Sequence, residues 1–319
     1  MHIPDGFLDA KTALATGALS AAGLGYALRE VRRELPPRRV PLLGLAAAFL
    51  FAAQMVNFPV MGGTSGHLVG GALVAVLLGP AAAVVVVATV LIVQCFLFAD
   101  GGVMALGANL FNMGLTATVG GYAVYRGVAR LLPGLRGRVA ALAFAGWCST
   151  IIAAAACAGQ LAWSGTVAWR VGFPAMVGVH ALIGLGEGAV SALVLLAIAR
   201  TRPDLLPDQP GAAAAPGRVG PFVVFGLLVT LGIALFVAPF ACPWPDGLES
   251  VAARLGFNHP ASSPLLPALI PDYQLPGITS PGLATALAGA AGALVVFLLA
   301  IGFSRLVVPR EGPALKTEI

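Results

Sequence analysis

The sequence contains four histidines: His2, His67, His180 and His259. The first lies one residue from the amine of Met1, and that placement suits a metal ion. The Met1 amine and the His2 amide nitrogen close a five-membered chelate ring. The same amide nitrogen and His2 Nδ1 close a six-membered ring. Three nitrogens thus come from two adjacent residues with little loop entropy to overcome. A fourth nitrogen completes a square plane of the kind that suits Ni(II) or Cu(II). The chelate requires that Met1 be retained with a free amine, and the bulk of His2 favours retention. It also requires the amide proton to leave, which Ni(II) and Cu(II) promote better than Zn(II). The plain alternative is a solvated terminus carrying an incidental histidine.

His67 ends the run Met61-Gly62-Gly63-Thr64-Ser65-Gly66-His67, directly before a short apolar stretch. It is a candidate for the fourth nitrogen, although a capping or headgroup-facing imidazole fits the same position. His180 and Glu187 lie seven residues apart inside an apolar run, so they share a helix face. They are separated by about 10 Å along the axis, too far for a direct pair. Ionisable groups within a membrane are costly and point to function. The competing reading is a hydrogen bond to a neighbour such as Asn112 or Gln160. Asn57, Asn109 and Asn112 are read as packing or as support for the ligands. Asp100, in Ala99-Asp100-Gly101-Gly102, fits a turn. Asn57, Asp100, Asn112, His180 and Glu187 are therefore the candidates for supporting the ligands or lining the pathway.

Positioning these groups falls to a chain that is 59% hydrophobic and 10% charged, with 41 glycines. Soluble domains carry about 25% charged residues. The composition predicts an all-α, multi-pass membrane protein in which glycines let helices approach closely. Apolar runs cover 12–28, 40–56, 80–98, 104–125, 139–163, 171–199, 219–240 and 281–308, with a shorter one at 68–78. Nine crossings result if the short run is counted.

With the N-terminus outside, cations then cluster on the inner loops: Arg29, Arg32, Arg33, Arg38 and Arg39; Arg126, Arg130, Arg136 and Arg138; Arg200, Arg202 and Arg218; Arg305, Arg310 and Lys316. Only Lys11, Arg170 and Arg254 fall outside. That asymmetry is the positive-inside signature. It favours a crossing by the short run and puts Met1, His2 and His67 on one outer face, with the C-terminus inside.

The net charge of +5 resides in these clusters, and no basic surface interleaved with aromatics suggests nucleic acid. Cys95, Cys148 and Cys157 lie in apolar runs, and with Cys242 they form no CxxC pair. The opening residues carry two acidic groups and no early arginine, which predicts no cleavable leader. No GxxxxGK[ST], HExxH, GxSxG or SxxK pattern occurs, so neither ATP hydrolysis by a phosphate loop nor nucleophilic catalysis is expected. The chain is read as a non-enzyme.

The stretch 200–217, rich in Pro, Ala and Gly, reads as a linker inside the cell. It divides the chain into 1–200, the linker 201–218, and a two-helix unit at 219–319 with an outer loop over 241–280. That loop carries Pro245-Asp246-Gly247-Leu248-Glu249 and Pro271-Asp272-Tyr273.

Met1-His2-Ile3-Pro4-Asp5-Gly6-Phe7-Leu8 resembles the N-terminal signature of the CbiM/NikM family. So do Gly66-His67-Leu68-Val69-Gly70-Gly71, Phe98-Ala99-Asp100-Gly101-Gly102, Ala108-Asn109-Leu110-Phe111-Asn112-Met113-Gly114 and His180-Ala181-Leu182-Ile183-Gly184-Leu185-Gly186-Glu187. These are substrate-capture components of energy-coupling factor transporters for cobalt and nickel. The resemblance implies a seven-helix bundle in a prokaryotic cytoplasmic membrane, with the N-terminus tucked in from outside. It implies a metal held by Met1, His2 and His67, the transported Ni(II) or Co(II) being cargo rather than a prosthetic group. It also implies a transmembrane coupling protein and two cytoplasmic ATPase subunits as partners. Residues 219–308 resemble the two-span PDGLE/NikN-like accessory subunit, fused here. His259, in its outer loop, reads as an ordinary loop residue. The competing function is a stand-alone proton-coupled divalent-metal transporter that uses His180 and Glu187.

Overall fold

A computed structural model describes residues 1–206, 219–258 and 266–309. Most of the expected linker, together with His259, Arg218, Arg310 and Lys316, lies outside the described residues.

The chain is helical because long apolar runs in lipid must satisfy every backbone N–H and C=O internally. Asp9 caps α1 (Ala10–Glu34) by accepting the Thr12 amide at 2.9 Å. Arg32 and Arg33 close the last turn of α1, where the helix dipole favours cations. The chain then turns into α2 (Val40–Met55). Next come α3 (Gly71–Leu78), α4 (Pro80–Phe98), α5 (Leu106–Asn109), α6 (Thr118–Leu131), α7 (Gly134–Trp163) and α8 (Trp169–Thr201). In the second unit α9 (Val219–Phe236) and α11 (Pro281–Val307) flank the short α10 (Gly247–Leu255).

By length and hydropathy, α4, α7, α8, α11 and the stretch Val219–Phe240 are each able to cross a membrane. The helices of Ala10–Glu34 and Pro37–Met55 pass that test only as a pair, bent by 118°. Large apolar side chains such as Leu193, Phe225 and Leu306 remain exposed, as a lipid-facing surface requires.

Three local features differ from the sequence reading. First, β1 (Phe58–Val60) and β2 (Thr64–Gly66) form a small antiparallel hairpin that pairs Phe58 with Gly66. Second, α3 begins at Gly71 rather than Leu68, because Gly70 turns the backbone into the left-handed region, with φ of 74°. Its eight residues rise only about 12 Å. Third, the run expected as one span over 104–125 stays helical from Leu106 onward but winds through a π-helical stretch, Leu110–Ala117, between α5 and α6. Such stretches frequently mark functional positions.

Small residues set the packing. Gly146 on α7 meets Gly188 on α8, where an added Cβ would lie 3.1 Å from the Gly188 Cα. That is the close approach that small residues allow between membrane helices. Helix α2 lies between the first bundle and the C-terminal pair, touching both α9 and α11. Helix α10 rests on α8 and on β2. All four cysteines are free.

Candidate metal centre

The first eight residues have no regular structure, yet they are held inside the bundle. Met1, Ile3, Asp5 and Phe7 are all buried. Asn109 grips Ile3 from both sides: its Oδ1 accepts the Ile3 amide at 2.8 Å, and its Nδ2 donates to the Ile3 carbonyl at 3.1 Å. The Gly102 amide donates to the same carbonyl at 2.9 Å. The Asp5 carboxylate accepts the Met104 amide at 2.8 Å and the Val103 amide at 3.2 Å. Gly102 must be glycine for this approach, because a Cβ there would sit 2.2 Å from Asp5 Oδ1 and 2.3 Å from the Asp5 amide nitrogen. Farther along, Thr166 donates its hydroxyl to the Phe7 carbonyl.

This anchoring brings the Met1 amine to 2.6 Å from His67 Nε2. His67 Nδ1 lies 3.1 Å from the Leu68 carbonyl. A carbonyl only accepts, so Nδ1 carries the proton and the lone pair on Nε2 faces the amine. Burial, reinforced by the Met1 ammonium and by His2, pushes the His67 pKa down to about 3, so the ring is neutral. The His2 ring stacks on that of His67, with centroids 5.4 Å apart and planes 18° from parallel.

His2 Nδ1 lies 3.0 Å from Asp100 Oδ1, and His2 Nε2 lies 3.2 Å from Gln94 Oε1. Both partners are acceptors, so both ring nitrogens are engaged. Gln94 donates to Gln54 Oε1 at 2.8 Å, and Gln54 donates to the Val69 carbonyl at 3.1 Å. A chain of side-chain amides thus runs from His2 to the loop that carries His67.

Two carboxylates flank the cluster. Burial raises the Asp100 pKa, but the His2 ring and the Tyr273 hydroxyl, 2.6 Å away, outweigh it and hold the group below the usual carboxylate range. Asp246 behaves in the same way: burial is outweighed by the Met1 ammonium, 2.6 Å away, and by His67. Asp246 is also the N-cap of α10 and shares a reciprocal capping box with Glu249. The second unit is tied down around this point. Ser65 donates its amide to the Pro245 carbonyl at 2.8 Å and its hydroxyl to the Trp244 carbonyl at 2.7 Å. The Thr64 and Ser250 hydroxyls are 2.6 Å apart, and Arg254 donates to the Gly62 carbonyl.

Met1, His2, His67 and Asp100 are therefore neighbours. The remaining candidates take other positions. Glu187 accepts the Val69 amide at 2.6 Å and the Gly70 amide at 2.8 Å, which fixes the loop just after His67. Asn112, in the π-helical stretch, pairs reciprocally with Gln160, both bonds 2.8 Å. The partner suggested for His180 is thus taken. His180 Nδ1 lies 2.7 Å from the Met176 carbonyl instead. Asn57 offers its backbone carbonyl to the Cys242 amide at 2.9 Å and has no bond to the cluster.

Sequence reasoning missed Asp246, Gln94, Gln54 and Tyr273 as neighbours of the histidines. Asp246 and Tyr273 lie in the two acidic loop motifs, Pro245-Asp246-Gly247-Leu248-Glu249 and Pro271-Asp272-Tyr273, whereas Gln94 and Gln54 carried no signal. Among the described residues no group of three or more His, Cys, Asp or Glu is placed to hold a metal ion.

Residues 2–205 match the family described as CbiM, cobalt uptake substrate-specific transmembrane region. The chain belongs to this family. Residues 220–309 match the PDGLE domain. A chain of Archaeoglobus fulgidus, provisionally named as the fused nickel transport protein NikMN, is 40% identical over 306 residues, covering 95% of this chain and 97% of that one. The fused nickel transport protein NikMN of Rhodobacter capsulatus is 32% identical, covering 87% and 84%. The cobalt transport protein CbiM of Geobacter sulfurreducens is 31% identical, covering 81% and 78%. A crystal structure of a truncated transition metal transporter superposes with a TM-score of 0.58 at 33% identity, covering 63% of this chain and 99% of that one.

Proposed function

We propose that this chain is the metal-capture component of an ATP-driven importer of nickel or cobalt ions. The ion is held by the Met1 amine, the His2 amide nitrogen, His2 Nδ1 and His67 Nε2. One observation carries this reading: the 2.6 Å separation of the Met1 amine from the bare Nε2 of a neutral His67. Two nitrogens each about 2.0 Å from one ion, at right angles, lie about 2.8 Å apart. The pair is thus spaced like adjacent corners of a square plane. His2 supplies the other two corners once Nδ1 leaves Asp100.

Loading then proceeds by exchange of partners. The amine releases one proton to water, gives up its bond to Asp246, and turns its lone pair to the ion. His2 Nδ1 exchanges Asp100 for the ion, and its proton and that of the His2 amide pass to water. Asp100 and Asp246 remain beside the ion as anions that offset its charge. A plane of four nitrogens favours Ni(II), and relatives named for nickel and for cobalt support both ions as cargo.

The same reading has the N-terminus outside a prokaryotic cytoplasmic membrane that the chain crosses several times. Residues 1–200 form the capture domain, and 201–218 link it to the accessory unit of 219–319. A transmembrane coupling protein and two cytoplasmic ATPase subunits supply the energy, consistent with a sequence that contains no phosphate loop. The proton-coupled alternative is not favoured, since Glu187 is spent on two backbone amides and neither it nor His180 bonds the other.

Titration of the purified full chain with Ni(II), Co(II), Cu(II) and Zn(II), read by absorption, tests the site. A square-planar spectrum is expected with Ni(II). His2→Ala and His67→Ala are each expected to abolish tight binding in a protein that still folds. One extra residue before Met1 is expected to do the same. Unchanged affinity in the extended protein overturns the reading.

A further inference from the structure

Among the described residues, His180 is the imidazole that the four-nitrogen site leaves unused. It is 2% exposed, inside α8. Its Nδ1 donates to the Met176 carbonyl at 2.7 Å, so Nε2 carries the bare lone pair. That nitrogen has no hydrogen-bond partner. Buried polar atoms are nearly always paired, and an exception calls for an explanation.

The nitrogen borders a chamber of about 10 Å³, lined in part by Met1, His67, Thr150, His180 and Gly247. That is room for a single water-sized occupant. Gly247, at the start of α10, closes the chamber from the second unit. An added Cβ there would lie 2.7 Å from His180 Cε1 and 2.8 Å from Nε2. The backbone comes this close only because residue 247 is glycine, and a side chain would cover the nitrogen.

His67 and His180 are built alike. Each donates Nδ1–H to a backbone carbonyl, Leu68 in one case and Met176 in the other, and each leaves Nε2 bare. Metal-ligating histidines carry this arrangement, because the carbonyl fixes the tautomer and aims the free nitrogen. Both imidazoles border the same chamber.

We propose that His180 Nε2 is a second metal-ligating nitrogen, which takes the nickel or cobalt ion from the Met1/His2/His67 chelate as the ion moves into the bundle. This inference rests on the chelate described above. The step is a ligand exchange: the amine and His2 nitrogens release the ion and take back from water the protons they lost on loading, His180 Nε2 binds the ion, and His67 spans the two positions. Those N–H bonds are the only covalent bonds that form within the protein.

The test separates capture from passage. A host strain lacking the gene is complemented with full-length variants, and radioactive nickel uptake is measured beside equilibrium Ni(II) binding by the purified chain. His180→Leu is expected to bind Ni(II) as the wild type does while uptake falls on the order of tenfold or more. Gly247→Ala, which covers Nε2 from the other side, is expected to show the same split. His180→Cys, whose thiolate is a metal ligand, is expected to recover more uptake than His180→Ser, which has a similar shape and a poorer donor. Wild-type uptake by His180→Leu overturns the proposal. So does equal behaviour of the Cys and Ser variants, or loss of binding by His180→Leu in a protein that still melts cooperatively. If the wild type itself binds no nickel, it is the chelate that fails.

Discussion

Asp246 Oδ2 stands 2.6 Å from the Met1 amine, although 245 positions separate the two residues. The contact joins the first residue of the chain to the cap of a helix in the second unit. It also puts a carboxylate 4.0 Å from His67 Nε2. Removing one partner of a shielded ion pair leaves the other uncompensated, which costs more than the pair is worth.

Asp246→Asn tests that relationship cleanly, because asparagine also caps helices. The variant is expected to keep α10 and to lose about 1.5–3 kcal/mol of stability, the range for a hydrogen bond to a charged group. Chemical or thermal unfolding of the full chain in detergent measures it. Equal stability of variant and wild type would show that the pair contributes nothing.

The pH dependence of stability divides into two windows. His67 has its pKa lowered from 6.5 to about 3. The unfolded chain therefore binds more protons between those values, and stability falls as pH drops below about 6.5. Asp246 is held below its ordinary 3.8. Its contribution is fully present above that value and is lost at lower pH. His67→Gln is expected to flatten the melting-temperature profile in the upper window. Asp246→Asn is expected to flatten only the part below about pH 4.

Glu187→Gln separates a positioning role from a proton relay. The carboxylate accepts two amides with two oxygens, whereas glutamine has a single acceptor oxygen. One buried amide is left unpaired, a loss of about 1–3 kcal/mol. Because Val69 follows His67 by two residues, weaker nickel affinity is expected alongside the lower melting temperature. A relay residue would instead stop uptake with affinity intact.

Gly102→Ala is expected to expel the N-terminal segment without unfolding the bundle, since the new methyl group falls on Asp5. Tight nickel binding should vanish while the helical circular dichroism is retained. Gly25→Ala is the control: nothing lies within 4 Å of its Cβ position, and the change is expected to leave binding alone.

The long apolar runs announced the helices, because hydropathy over about 20 residues is a local property. The adjacency of Met1 and His2 was equally legible, since chelate rings follow from covalent geometry. Where a segment's backbone hydrogen bonds go is not local. Leu68–Gly70 looked helical, but Gly70 takes a left-handed φ of 74°, and Glu187, more than 100 residues away, accepts the Val69 and Gly70 amides. Asp246 stood out in sequence only as part of an acidic loop motif; its contact with Met1 arises when the second unit packs onto β2 and α8. The 58–66 hairpin was obscured by glycines that serve equally well in a loop, and Gly62 and Gly63, with φ of 80° and 72°, form its turn.

Because Asp246 and Met1 belong to one polypeptide, their encounter is intramolecular. Tethered groups meet at an effective concentration set by their linkage rather than by the number of copies present. Whatever the expression level, each nitrogen cluster is made with its own carboxylate. Dilution in the membrane therefore leaves this contact unchanged, whereas it would separate the same two units encoded as independent chains.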